Sequence, residues 1–95
     1  MISLIIPTYR NPKYLDLCLQ SAIDGQTTKN EIIVVIDGYV DESQEVIDKY
    51  QGKINVLPLP ENKGMQTALN LGVYNANNEK ILIVNDDNVL CPEWD

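Results

Sequence analysis

Asp86 and Asp87 stand side by side in Asn85-Asp86-Asp87-Asn88, directly after the apolar run Ile81-Leu82-Ile83-Val84. Two ionised carboxylates that are adjacent and partly buried raise one another's pKa, and a divalent cation removes that cost. Hard oxygen ligands of this kind suit Mg2+ or Mn2+, which bind through one or two carboxylates while substrate phosphates complete the octahedron. Taken alone, the commoner explanation is a solvated turn, because Asp and Asn favour turns through their own hydrogen bonds. Asp37-Gly38 follows another apolar run and has two readings of about equal weight: an ordinary turn, or a carboxylate that accepts hydrogen bonds from a nucleotide base or ribose. Pro7, Thr8 and Tyr9 follow a third run, and Tyr9 offers a ring on which a base can stack.

These groups need a frame that brings them together. Short β-branched runs recur at residues 2–6, 32–36, 54–57 and 81–84, mostly continuous rather than alternating, as expected of strands covered on both faces. Between the first two, Leu15, Cys18, Leu19, Ala22 and Ile23 form one helical stripe, with Asn11 as N-cap, Pro12 at the first helical position and Gly25 as terminator. Asp41 and Gln44 resemble a capping box before Val46, Ile47 and Tyr50, which predicts a second, shorter helix. Met65, Ala68, Leu69, Gly72, Val73 and Ala76 form a third stripe.

The order β-α-β-α-β-α-β implies right-handed crossovers and a three-layer α/β/α, Rossmann-like, mostly parallel sheet. Ligands in such sheets bind beyond the carboxyl ends of the strands, near the point where strand order reverses. Polar groups follow the first, second and fourth runs, whereas the third leads into Leu57-Pro58-Leu59-Pro60. That distribution fits a strand order of 3-2-1-4, with the first and fourth strands flanking the switch point.

Ninety-five residues are expected to make one domain, 1–95, able to bury roughly 60–65% of its unfolded surface without staples. Fourteen acidic against seven basic residues give a net charge of -7, which argues against nucleic acid or anionic membrane as a partner. An anionic ligand therefore needs a cation to mediate. Cys18 and Cys91 supply neither a disulfide framework nor metal-ligand spacing, and with no leader or membrane-length apolar run the expected location is cytoplasmic.

"SLIIPTYRNPKYLDLCLQSAI", "EIIVVIDG", "ENKGMQTALNLGV" and "KILIVNDDNVLCPEW" together resemble, in order and over nearly the whole chain, the N-terminal half of family 2 glycosyltransferases of the GT-A fold. The resemblance implies transfer of a sugar from a nucleotide-diphosphate donor, usually a UDP-sugar, to an acceptor hydroxyl. It places Pro7, Thr8 and Tyr9 at the base, Asp37 as a carboxylate binding the base, and Asn85-Asp86-Asp87 on the family's metal-binding DXD motif. Asp87 would then coordinate Mg2+ or Mn2+, with Asp86 beside the donor ribose. Asn85 replaces the motif's first Asp, and Leu69 stands where an Arg is often found, leaving Lys63 as the nearest substitute.

Family members continue past this motif into an acceptor half that supplies the general base. Pro92-Glu93-Trp94 resembles the first turn of a further helix, with Trp94 expected to pack against residues outside the chain. The expectation is a truncated nucleotide-sugar-binding half-domain, inactive or nearly so alone. The alternative is an inactive remnant that self-associates through the face left bare, as a homo-oligomer. A dinucleotide-binding Rossmann domain fails on the first turn, where Pro7-Thr8-Tyr9-Arg10-Asn11-Pro12 carries no glycine-rich phosphate loop. A phosphoacceptor receiver is disfavoured because its acidic pair belongs after the first strand.

Overall fold

A computed structural model describes residues 1–95. Its elements follow the order β1 (Ile2–Thr8), α1 (Pro12–Gly25), β2 (Glu31–Asp37), a 3-10 turn (Val40–Ser43), α2 (Gln44–Lys49), β3 (Asn55–Leu59), α3 (Met65–Asn75) and β4 (Lys80–Ile83). The four strands form one parallel sheet in the order β3-β2-β1-β4, as predicted. Alternate residues of the inner strands divide the core between the two faces. Leu4, Ile6, Ile32, Val34 and Ile36 meet Leu15, Cys18, Leu19 and Ala22 of α1 together with Tyr50. Ile5, Ile33 and Val35 meet Ala68 of α3 on the other face.

Gly72 explains how α3 lies so close to the sheet. A Cβ at this position would overlap Ile5 Cγ2 and press on Val35 Cγ2 at 3.3 Å. Because Ile5 and Val35 are buried, Gly72→Ala is expected to lower stability by about 1–2 kcal/mol despite the better helix propensity of Ala. Urea unfolding checks this; an unchanged or raised midpoint would contradict the close packing.

Local details differ from the sequence expectations. Pro7 and Thr8 lie within β1, opposite Val35 and Ile36, rather than in the loop after it. The ladder between β1 and β4 ends at Ile5–Ile83, with Val84 N–H donating to the Ile5 carbonyl at 3.0 Å. Pro7 has the same parity as Ile5, so its missing N–H faces the gap where β4 has left the sheet, and no ladder bond is lost. Pro58 likewise sits in β3, an edge strand. The capping box does not form: residues 40–43 make a 3-10 turn, and Gln44 Nε2 donates instead to Asp48 at 2.9 Å. Asn11 caps α1 through its carbonyl, which accepts from Leu15 N–H at 3.0 Å, and not through its side chain.

The final residues depart most from expectation. Pro92–Trp94 is a turn rather than a helix start, with Glu93 at φ 62°, and it folds back on α1. Trp94, expected to pack against residues outside the chain, packs on the chain's own core and donates from Nε1 to the Ala22 carbonyl at 2.8 Å. Gly25 is the last residue of α1 and makes room for this approach, since a Cβ there would lie 3.2 Å from Trp94 Cδ1.

Asp95 ties the turn down. Its carboxylate accepts from Thr27 N–H, Thr27 Oγ1, Thr28 N–H and Asn30 Nδ2 at 2.7–3.2 Å. Burial pushes its pKa upward, but these donors outweigh that and hold it at about 2, below the ordinary 3.8. A depressed folded-state pKa contributes stability above the ordinary value and loses it as pH falls toward the folded one. The stability advantage of the native chain over Asp95→Asn is therefore expected at neutral pH and should shrink between 3.8 and about 2. Urea midpoints across that range check this, and a gap that stays constant would contradict it.

Candidate functional site

The carboxyl edge of the sheet gathers three polar loops. After β1 come Tyr9 and Arg10, after β2 Gly38 and Tyr39, and after β4 the segment from Asn85 to Asn88. They meet because β1 is central, with β2 on one side and β4 on the other.

Thr8, the last residue of β1, is buried and donates from Oγ1 to Asp86 Oδ2 at 2.6 Å, joining the end of β1 to the loop after β4. Hydrogen bonds to a charged acceptor are short and roughly twice as strong as neutral ones. Asp86 is thereby oriented with one oxygen engaged. Asp87 is exposed, and its carboxylate takes part in no hydrogen bond or ion pair within the chain. Asn85 and Asn88 close the turn, Asn88 N–H donating to the Asn85 carbonyl at 3.2 Å. Cys18 Sγ lies beneath, 3.9 Å from that same carbonyl, and burial together with Asp86 and Asp87 pushes its thiol up to about 11. The floor of the loop is thus neutral, leaving the two carboxylates as its charge.

No cluster of three His, Cys, Asp or Glu side chains exists to enclose an ion by protein ligands alone. Two adjacent carboxylates, one oriented and one open, form instead the sparse oxygen set by which Mg2+ or Mn2+ binds when waters and phosphates supply the remaining positions. The donor set fits such an ion.

Asp37, expected either in an ordinary turn or as a carboxylate binding the base, has its oxygens engaged within the chain. It is the last residue of β2 and only 1% exposed. Its oxygens accept from Lys63 N–H at 2.6 Å, Gly64 N–H at 3.1 Å and Asn62 Nδ2 at 3.2 Å. Asp37 therefore anchors the loop from β3 to α3 against the end of β2. Gly38 permits the approach: at φ 84° its absent Cβ would stand 2.7 Å from Asn62 N. The sequence signal for this anchor is Gly64 just before the third helical stripe. Lys63 pairs through Nζ with Glu61 at 2.7 Å.

Tyr39, Glu42 and Arg10 are the members that sequence reasoning missed. Tyr9 and Tyr39 meet edge to face with centroids 6.0 Å apart, and the Arg10 guanidinium lies 4.2 Å from the Tyr39 ring centre. Arg10 also pairs with Glu42 at 3.0 Å. An aromatic residue immediately after Asp37-Gly38, and a cation immediately after Tyr9, were the available signals. Beside them opens a cleft of about 530 Å3 lined by Tyr39, Val40, Asp41, Glu42, Pro60, Glu61 and Asn62. It lies toward β3, whereas Asp86 and Asp87 lie toward β4, so Tyr9 and Arg10 stand between cleft and carboxylates.

Comparison with known proteins bears on the fold and the family. An uncharacterized glycosyltransferase of Rickettsia prowazekii is 39% identical over 93 residues, covering 97% of this chain and 29% of the relative. The crystal structure of S. aureus TarS 1-349 in complex with UDP-GlcNAc matches with a TM-score of 0.80 at 30% identity, covering 90% of this chain and 26% of that one. A mannosyltransferase of Pyrobaculum calidifontis, solved with GDP-Man and Mn2+, matches at a TM-score of 0.85 and 19% identity, over 94% of this chain and 28% of that one, and shares the fold. The chain spans less than a third of the length of the curated relatives it matches. The family model described as Glycosyl transferase family 2 matches residues 3–95, and the chain belongs to that family.

Proposed function

We propose that residues 1–95 are the donor-binding part of a glycosyltransferase that holds a nucleotide-diphosphate sugar, UDP-linked in our reading, through a divalent metal. The observation that carries this is the joined edge: Thr8 fixes Asp86 while Asp87 stays open, next to an exposed Tyr9. In this reading Asp87, with Asp86 beside the ribose, would hold Mg2+ or Mn2+. When bound, the ion neutralises negative charge on the departing nucleoside diphosphate as a Lewis acid.

The chain's own residues then bind and orient. Tyr9 stacks on the base, Pro7 and Thr8 shape the floor beneath it, and Asp37 fixes the loop at the edge of the base pocket. Thr8 keeps Asp86 turned toward the donor. The general base for the acceptor hydroxyl is assigned to no residue here, in keeping with a chain that spans under a third of its relatives. The two thiols, neither in a disulfide, fit a reducing cytoplasmic setting, and no helix is long and apolar enough to cross a membrane.

Titrating UDP into the purified chain with and without Mn2+ tests the reading. Binding that strengthens with Mn2+ is expected, and metal-independent or absent binding would overturn it. A second reading, self-association, is favoured by β4, an edge strand whose Ile81 and Ile83 are 39% and 47% exposed on the side of α3. A concentration-dependent sedimentation coefficient without UDP binding would select it.

A further inference from the structure

Tyr9 and Arg10 adjoin in the loop after β1, while Tyr39 and Glu42 share the turn after β2, where Glu42 N–H donates to the Tyr39 carbonyl at 3.1 Å. Side chains close the circuit between the loops. Glu42 grips Arg10 through Nε at 3.0 and 3.3 Å and Nη2 at 3.2 Å; Arg10 covers one face of Tyr39; and Tyr39 meets Tyr9 at an interplanar angle of 71°. Both hinges of this ring carry left-handed backbone, Arg10 at φ 48° and Tyr39 at φ 51°. Non-glycine residues rarely adopt that region, and such conformations persist where surrounding contacts over-determine them, often at ligand clamps.

We propose that Arg10, Tyr39 and Glu42 are positioning residues for the nucleotide base, forming a clasp that holds the Tyr9 ring in its stacking orientation. The proposal rests on the donor-site reading above. Tyr9 is 42% exposed, and without the clasp its ring would rotate over a solvent-facing loop. A ring fixed before the ligand arrives loses less rotamer freedom on binding. The fork of Arg10 matters because it engages both Glu42 oxygens while its plane stacks on Tyr39, a pair of tasks that an ammonium group does not perform. Tyr39 also lines the cleft beside the Asp37-anchored loop, so the clasp forms the wall between cleft and carboxylates.

The test uses two probes, UDP and inorganic pyrophosphate, each titrated by calorimetry in the presence of Mn2+. Pyrophosphate reaches the metal but has no base. Arg10→Ala, Arg10→Lys and Glu42→Gln are each expected to weaken UDP roughly three- to tenfold, the scale of an exposed cation–π contact plus an exposed ion pair. Pyrophosphate affinity should stay unchanged, and the thermal midpoint should fall by only a few degrees, the shift expected when contacts of this size are lost from a small domain. Combining Arg10→Ala with Glu42→Gln should weaken UDP no further than either alone, since both open the same ring. Unchanged UDP affinity in the variants, or an equal loss for both probes, would overturn the clasp while leaving the donor site standing. Failure of the native chain to bind UDP would overturn the donor-site reading and the clasp together.

Discussion

Asp87→Ala is expected to remove the Mn2+-dependent part of UDP binding, a loss on the order of 100-fold, while leaving thermal stability almost unchanged. The two effects separate because of where this carboxylate sits. Asp87 is exposed and partnered by nothing in the chain, so its removal resembles a surface substitution worth no more than about 0.5 kcal/mol. Groups that merely orient metal ligands cost about 10–100-fold in metal affinity when lost, and a direct ligand belongs at or beyond the upper end. Asp86→Ala should behave differently. It releases the Thr8 hydroxyl, a buried donor, and so should destabilise the fold as well as weaken UDP. Calorimetry with and without Mn2+, beside thermal unfolding, checks both. An Asp87→Ala variant that keeps the full metal dependence would remove Asp87 as the ligand.

Asp37→Ala is expected to cost about 3 kcal/mol or more of stability, a large share of the roughly 5–15 kcal/mol that holds a small domain folded. Its carboxylate is buried and accepts from two backbone N–H groups and one amide, and truncation strands those donors where water reaches them poorly. Asp37→Asn should lose less, because the amide oxygen still accepts while the amide N–H2 opposes a donor. Urea midpoints give the ranking, native above Asn above Ala. UDP affinity measured where each variant remains folded isolates any direct role in the base pocket. An Asp37→Ala chain with native stability and no UDP affinity would make Asp37 a ligand contact and not a loop anchor.

The sheet was legible because burial on two faces leaves a mark in the sequence. The continuous runs around Ile5, Val34 and Leu82 reported parallel strands, and the polar residues after three of the four runs reported the order β3-β2-β1-β4. Helix periodicity reported α1 for the same reason: Leu15, Cys18, Leu19 and Ala22 are all buried. Features that depend on contacts far apart in the chain left no local mark. Pro7 read as a loop residue because the departure of β4 from the sheet, which makes a proline tolerable there, is a tertiary event. Asp37 read as a turn residue or a base-binding carboxylate, and its role as a loop anchor went unseen because its three donors lie 25 to 27 residues away. Trp94 read as a residue awaiting a partner because its groove on α1 depends on the missing side chain of Gly25 and the reversal at Glu93. Asp86 and Asp87 were found by type and spacing, yet the division between them, one held by Thr8 and one open, needed the fold.

The most direct test of the donor site is a residue-resolved NMR titration of the purified chain with UDP and Mn2+. Paramagnetic Mn2+ should broaden the amides of Asn85 to Asn88 first, and UDP should then shift Thr8, Tyr9, Arg10 and Tyr39 across the same edge of the sheet. Broadening or shifts centred instead on the opposite edge, where Lys29, Asn30 and Lys53 line another cleft, would contradict the account.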